Sequence, residues 1–142
     1  MDITSSNASF MLSIATIFPV AQKLQKFGAD AMFATDDVEP AEVGKGADGN
    51  MFAGYTPYNT PQTITIMPDS PSLSLFEQWL AAMKANSTIY VANATIRIPS
   101  ISKKYTLTSG VLTRIRAIPN AQKVLAAMEY QITWDNVDPA PF

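Results

Sequence analysis

The sequence predicts a mainly β domain, α+β by strict count, built as an antiparallel barrel or two-sheet sandwich with one flanking helix. Three observations predict it. Several stretches alternate apolar and polar residues with period two, one stretch (72–85) repeats apolar residues at three-to-four spacing, and helix does not alternate with strand along the chain. With 142 residues the chain is close to the size at which one hydrophobic core is efficient, so residues 1–142 are expected to form a single domain.

The first strand is expected over 10–18. Phe10, Leu12, Ile14 and Phe18 share one face, and Met11, Ser13, Ala15 and Ile17 the other. Pro19 is expected to end it, since proline cannot donate to a ladder. A short run over 22–27 leads to Gly28 and an acidic stretch over 30–42. The segment 43–55 holds Asp48-Gly49 between two extended pieces, a signal for a tight hairpin, and is read as a protruding loop or long hairpin. The run 62–67 alternates again, with Ile64 and Ile66 opposite Thr63 and Thr65.

The helix is predicted over 72–85. Ser70-Pro71 or Ser72 is placed to cap it, and Leu75, Phe76, Trp79, Leu80 and Met83 form its apolar stripe. Strands are then expected over 88–91 and 95–98, with Pro99 closing the second. The pieces 104–107 and 111–118 flank Ser109-Gly110, either a turn or a bulge inside one long strand. After a loop over 119–123, Met128, Tyr130, Ile132 and Trp134 alternate with Glu129, Gln131, Thr133 and Asp135, and residues 138–142 are expected to be extended. The sum is seven or eight strands and one helix. The expected core comprises Leu12, Ile14, Ile64, Ile66, Phe76, Trp79, Leu80, Tyr130, Ile132 and Trp134.

Charged residues are 15% of the chain, against roughly 25% in typical soluble proteins. Ser, Thr, Asn, Gln and Ala take their place, a set that tolerates burial against another protein better than Lys or Glu. An assembling subunit has this composition, and so does a monomer with a neutral polar surface. The net charge of −2 provides no concentrated basic surface for phosphate, so lasting nucleic-acid binding is not expected. The absence of Cys and His excludes disulfides, thiolate nucleophiles, Cys/His zinc sites and imidazole bases. The apolar stretch 10–18 follows Asp2, lacks a basic leader, and is shorter than the roughly 20 apolar residues a bilayer span needs. A soluble intracellular product without membrane contact is therefore expected.

Asp36, Asp37, Glu39 and Glu42 form the one concentration of carboxylates. They could serve as a catalytic acid and base, bind a hard cation, meet Lys and Arg on a neighbouring subunit, or sit in a solvated loop. Contact with a neighbour is preferred, because the alternating ligand spacing of a calcium loop is absent. Lys45 between glycines lacks the spacing of a phosphate loop. Ser102 and Lys103, adjacent on a strand, would point to opposite faces. Trp79 and Trp134 fall on apolar faces, which makes core packing the preferred reading over a ligand pocket. No catalytic residue, metal or cofactor is assigned.

The order of these signals resembles the tail tube proteins of tailed, commonly contractile, bacteriophages. The likeness is carried by Leu24-Gln25-Lys26-Phe27, the acidic run from Asp36 to Glu42, Ala47-Asp48-Gly49, Thr63-Ile64-Thr65-Ile66, Ser70-Pro71-Ser72 and Phe76-Glu77-Gln78-Trp79. It continues through Ala94-Thr95-Ile96, Pro99-Ser100-Ile101, Lys104-Tyr105-Thr106-Leu107, Gly110-Val111-Leu112 and Tyr130-Gln131-Ile132-Thr133-Trp134, covering nearly the whole chain. Lys26 and Lys45 depart from the pattern. The resemblance implies a barrel-like subunit of the phage tail tube type. It also implies that six copies form a ring, that the rings stack, and that a long loop or hairpin reaches from one ring to the next.

Placed on this sequence, the reaching element is residues 24–55, a length that is uncommon for a structureless loop without a function. The expected inter-subunit contacts are Leu24, Phe27, Phe33, Asp36, Asp37, Glu39, Glu42, Lys45, Asp48, Met51 and Phe52 on that element, with Lys103, Lys104, Arg114 and Arg116 opposite. The implied partners are the chain itself, tail sheath, baseplate and tail terminator proteins, with DNA only in transit through a neutral or acidic lumen. The implied place is the virion tail, assembled in the host cytoplasm. A small β-barrel enzyme or ligand-binding protein using the acidic cluster is the alternative from another class, and an effector-carrying secretion tube is a third.

Overall fold

The computed structural model describes residues 8–25, 33–116, 118, 121 and 125–141. Within them the elements run β1 (Ser9–Ile14), β2 (Phe18–Lys23), β3 (Phe33–Thr35), β4 (Ala41–Lys45), β5 (Met51–Tyr55), β6 (Thr60–Ile66), α1 (Leu73–Asn86), β7 (Ala92–Ile98), β8 (Lys103–Ile115) and β9 (Met128–Pro141). A 3-10 turn over Pro99–Ile101 joins β7 to β8. Seven strands form one antiparallel sheet in the order β2-β1-β7-β8-β9-β6-β3, and β4 and β5 pair alone. The main sheet is not closed by hydrogen bonds, but it curls until its two ends meet across the core. There the ring of Phe10 on β1 meets Phe33 on β3 edge-on, 5.9 Å between centroids.

The period-two stretches form strands because alternate side chains have one apolar layer to fill. Phe10, Leu12, Ile14, Ile64, Ile66, Ile96, Ile132 and Trp134 point inward and are buried. Helix α1 closes one end of this layer: Phe76 stacks on Tyr130 with centroids 4.4 Å apart, and Trp79 is fully buried beside it. Each such side chain contributes about 1.5–3 kcal/mol before entropy is counted. Leu80 is only half-buried and packs on the rim of the cluster.

Several boundaries differ from the sequence-based expectations for identifiable reasons. The expected single strand over 10–18 breaks into a hairpin after Ile14, and Pro19 lies inside β2 instead of ending a strand. Strand β2 is the outermost strand, where a missing N–H costs no ladder bond. The expected strand over 88–91 is absent; Ala92, Asn93 and Ala94 pair with β1 and begin β7 instead. Ser109-Gly110 is a bulge inside one 13-residue strand, and β9 runs 14 residues, taking residues 138–141 of the extended tail into the sheet. Beyond Trp134 it pairs with β8 alone, which accommodates Pro139 and Pro141. The expected loop 119–123 lies mostly outside the described residues.

The bulge bends two strands together. Ser109 adopts φ 53°, its N–H bonded to the Asn93 side chain at 3.2 Å. Inward positions on β8 shift from Tyr105 and Leu107 to Gly110 and Leu112, while β9 shifts from Trp134 to Val137. One half of this ribbon walls the helix-capped core. The other half walls the opposite, open end.

Candidate functional site: an assembly surface

Helix α1 starts at a serine pair used as a tether. Ser72 occupies the N-cap, yet its side chain makes no capping bond; its Oγ accepts from the Gln25 backbone N–H at 2.8 Å, and the Ser70 hydroxyl donates to the Gln25 carbonyl. The chain leaving β2 is thereby fixed to the helix. Leu24, expected at a subunit contact, is instead buried in the chain's own core, 2% exposed, with its N–H donating to the Phe10 carbonyl at 2.9 Å. The apolar side chain fills the gap below β1 and has no surface left to offer a neighbour. Phe27 lies outside the described residues.

From β3 the chain departs the body as a separate hairpin. Its roots are tied together by Asp36 N–H to the Pro61 carbonyl and Thr56 N–H to the Pro40 carbonyl, both at 3.0 Å. The turn is built by Asp48, which accepts from the backbone N–H and the side-chain amide of Asn50, each at 3.0 Å, while Gly49 takes φ 83°. Those bonds favour the carboxylate and hold Asp48 below the usual carboxylate pKa. Asp48 thus has a local structural role.

The hairpin is apolar where an exposed hairpin is ordinarily polar. Glu42, Gly44, Phe52 and Gly54 share one face, with the Phe52 ring lying over Gly44; Val43, Met51 and Tyr55 share the other. Val43, Met51, Phe52 and Tyr55 are 62%, 71%, 61% and 76% exposed. A two-stranded hairpin is marginal by itself in water, and an apolar one covered by nothing is an unfinished surface. Asp36, Asp37, Glu39, Glu42 and Lys45 are likewise exposed along it. Among the described residues no cluster of three or more carboxylates is placed to hold a metal ion.

The basic residues are dispersed. Lys103 is exposed and Lys104 half-buried at the start of β8, while Arg114 is exposed at its far end. Arg116 is engaged within the chain, donating to the Ala127 carbonyl at 3.1 Å and lying 3.7 Å from Glu129. The structure therefore separates Lys103 and Lys104 from Arg114 and Arg116.

Two features emerge that the sequence did not single out. First, the open end of the barrel holds an apolar hollow of about 320 Å³, lined chiefly by Phe33, Ile96, Ile98, Tyr105, Leu107 and Val137. The polar groups at its floor are already paired: Gln62 accepts from the Trp134 indole N–H at 3.0 Å and donates to Thr35 at 3.4 Å. Second, the outward face of the sheet carries Ser13, Asn93, Thr95, Thr106, Thr108, Thr113, Gln131 and Thr133, with charges of both signs at Arg97, Lys104, Arg114, Glu129, Asp135 and Asp138 among the positions of β7–β9. Thr113 is bonded across to Gln131 and Thr133 at 3.2 Å.

A chain of an extracellular contractile injection system in its sheath–tube complex superposes with TM-score 0.59 at 13% identity, over 94% of this chain and 88% of that one. A chain of the same system's sheath/tube terminator gives 0.61 at 14% identity, over 99% and 97%. A chain of the anti-feeding prophage tube-terminating cap gives 0.60 at 10% identity, over 100% and 94%. At such identities the likeness establishes the fold. No curated protein matches the sequence significantly. The family model described as tail fiber protein gp32 matches residues 1–138. The expected likeness to tail tube proteins thus holds at the level of fold, and the chain belongs to the tail fiber protein gp32 family.

Proposed function

We propose that this protein is a structural subunit of a phage tail tube, acting by self-assembly into stacked rings and without catalysis. The observation that carries the reading is the combination of a tube-type fold with a broad face on its largest sheet that is rich in hydroxyls and amides and whose charges are of both signs. That face is suited to line a lumen: it keeps water at the wall, and its cations Arg97, Lys104 and Arg114 share it with Glu129, Asp135 and Asp138, so it offers phosphates no net positive surface and DNA passes without being held. The low Lys and Arg content, which led to the expectation of a neutral or acidic lumen, supports the same assignment. Six copies per ring, and DNA as the cargo, come from the family resemblance. Sheath, baseplate and terminator proteins are the fitting partners, the similar solved chains having come from complexes of those kinds. The place of action is the virion tail, with assembly in the host cytoplasm.

The family description favours a second reading, a subunit of a tail fibre. Negative-stain microscopy of the purified chain over a concentration series separates the two. Rings and stacked tubes with an axial hole are expected; solid, slender fibres or a persistent monomer overturn the tube. The lumen assignment has its own test. Thr106→Lys with Thr133→Lys places new cations on the outward sheet face, so the variant tubes should retain DNA in a salt-dependent way that unmodified tubes do not. Tubes of the variant that ignore DNA remove that face from the lumen.

A further inference from the structure

We infer that the peptide link between Asp48 and Gly49 is a site of spontaneous aspartate isomerisation that the hairpin turn holds in check, with Asn50 as the residue that positions the carboxylate. The inference is independent of self-assembly and concerns the chemical durability of the β4–β5 hairpin.

The reaction needs nothing but solvent. The Gly49 nitrogen, giving up its proton, bonds to the side-chain carboxyl carbon of Asp48, and the hydroxyl of the acid leaves as water, closing a five-membered imide. Water then reopens the ring. Addition at the former side-chain carbonyl restores aspartate, whereas addition at the main-chain carbonyl leaves the backbone running through the side chain, as isoaspartate. One water is lost and one regained, so the composition is unchanged and the backbone is longer by one methylene. A following glycine hinders closure least, because it has no Cβ. Asp48-Gly49 is the one place in the 142 residues where aspartate or asparagine precedes glycine.

The turn opposes closure in three ways. The Gly49 N–H donates to the Gly46 carbonyl at 3.0 Å, and Ala47 and Asp48 both have negative φ, which makes a type I turn followed by Gly49 at φ 83°. The second central residue of such a turn has ψ near 0°, leaving its Cβ about 120° away from the plane that the ring demands of Cβ and the Gly49 nitrogen. The turn must therefore open before the ring can close. The same hydrogen bond occupies the proton that the attacking nitrogen has to lose. On the other side of the reaction, Asp48 accepts from the backbone and side-chain N–H groups of Asn50, each at 3.0 Å. These bonds favour the ionised carboxylate, which has no hydroxyl to release. Gly46 completes the arrangement: a Cβ there would lie 2.9 Å from Asp48 Oδ1, so any side chain displaces the carboxylate, while the backbone of Gly46 lies outside the left-handed region and accepts alanine.

The full-length chain is incubated at neutral pH, folded and separately unfolded in urea, beside folded Asn50→Ala and Gly46→Ala. Isoaspartate is counted by methyl transfer with an isoaspartyl methyltransferase and located by peptide mapping with electron-transfer fragmentation. Both substitutions lie at the hairpin tip outside the core and should leave the thermal melt unchanged. Isoaspartate should accumulate at residue 48, fastest in urea and slowest in the folded unmodified chain. Asn50→Ala should raise the folded rate roughly threefold to tenfold, the factor that the loss of one hydrogen bond implies, and Gly46→Ala should move it the same way. Equal rates in the folded and unfolded chain, or folded variants that keep the unmodified rate, overturn the protection by the turn. Accumulation elsewhere in the sequence and not at residue 48 overturns the site itself.

Discussion

Placing a methyl group at Gly110 should destabilise the subunit strongly, because the largest side chain of β9 lies against that position. A Cβ there would sit 2.4 Å from two ring carbons of Trp134 and 2.9 Å from a methyl of Ile132. Carbon atoms prefer about 3.5–4.0 Å, so the indole must move by more than 1 Å. It has nowhere to go. Trp134 is fully buried, and its N–H is committed to Gln62 at 3.0 Å. Overpacking costs about 1–3 kcal/mol and weakening a buried hydrogen bond about 1 more, giving about 2–4 kcal/mol for Gly110→Ala. For a domain of this size that is a fall in Tm of roughly 6–12 °C.

Two other glycines calibrate the measurement. At Gly54 no atom lies within 4 Å of an added Cβ, and at Gly44 the conflict, 2.6 Å, is with the tip of the Phe52 ring, which is exposed and free to swing away. Thermal denaturation followed by near-UV circular dichroism should rank the variants Gly110→Ala far below Gly44→Ala, with Gly54→Ala close to the unmodified chain. A Gly110→Ala protein with unaltered melting and an unaltered tryptophan signal would refute the packing account.

Two further outcomes follow from the same structure. Ser72→Ala should lower stability by about 1 kcal/mol and speed hydrogen exchange at the Gln25 amide without speeding it in the first turn of α1, since the hydroxyl accepts from Gln25 and not from the helix; the reverse pattern would make Ser72 an ordinary cap. Burial, with a smaller contribution from Glu77, pushes the Tyr130 phenol above its ordinary pKa of 10.0, so the unfolded chain ionises first as pH rises. Its stabilising effect is complete below that value and is lost above it. Melting temperature should therefore fall above pH 10, and less steeply in Tyr130→Phe, with equal alkaline slopes counting against the assignment.

Much of the fold was legible because the sheet buries one face only. Alternation such as Tyr130, Ile132 and Trp134 against Glu129, Gln131 and Thr133 identifies a strand and its inward side without further information. The helix was equally plain from Phe76 and Trp79. What the sequence could not show depends on distant partners. Pro19 read as a break, and the tail holding Pro139 and Pro141 read as extended without a partner, but each proline lies where its strand has a free flank, a property of sheet order. Leu24 stood in a stretch without periodicity, and only the tether from Ser70 and Ser72 turns it into the core.

The candidate surfaces divide in the same way. The hairpin was visible in Asp48-Gly49 and the apolar residues beside it. The hollow was not, because Phe33, Ile98, Tyr105 and Val137 come from four strands and each looks like ordinary core. Arg116 has an in-chain role that its charge alone did not announce. Counted by charge it is a candidate for contact with a neighbour, and its guanidinium, still partly exposed, also meets Ala127 and Glu129 of its own chain.

The paired roots of the hairpin have a consequence for how such proteins diverge. With Asp36 bonded to Pro61 and Thr56 to Pro40, the excursion begins and ends at one place, so inserting or excising residues near its tip leaves the geometry of the barrel untouched. Lengthening costs little, since loop-closure entropy grows only logarithmically. Each residue added to both strands extends the arm by about 3.4 Å. Span can thus be retuned in small steps by indels, while the residues that keep the domain folded stay fixed.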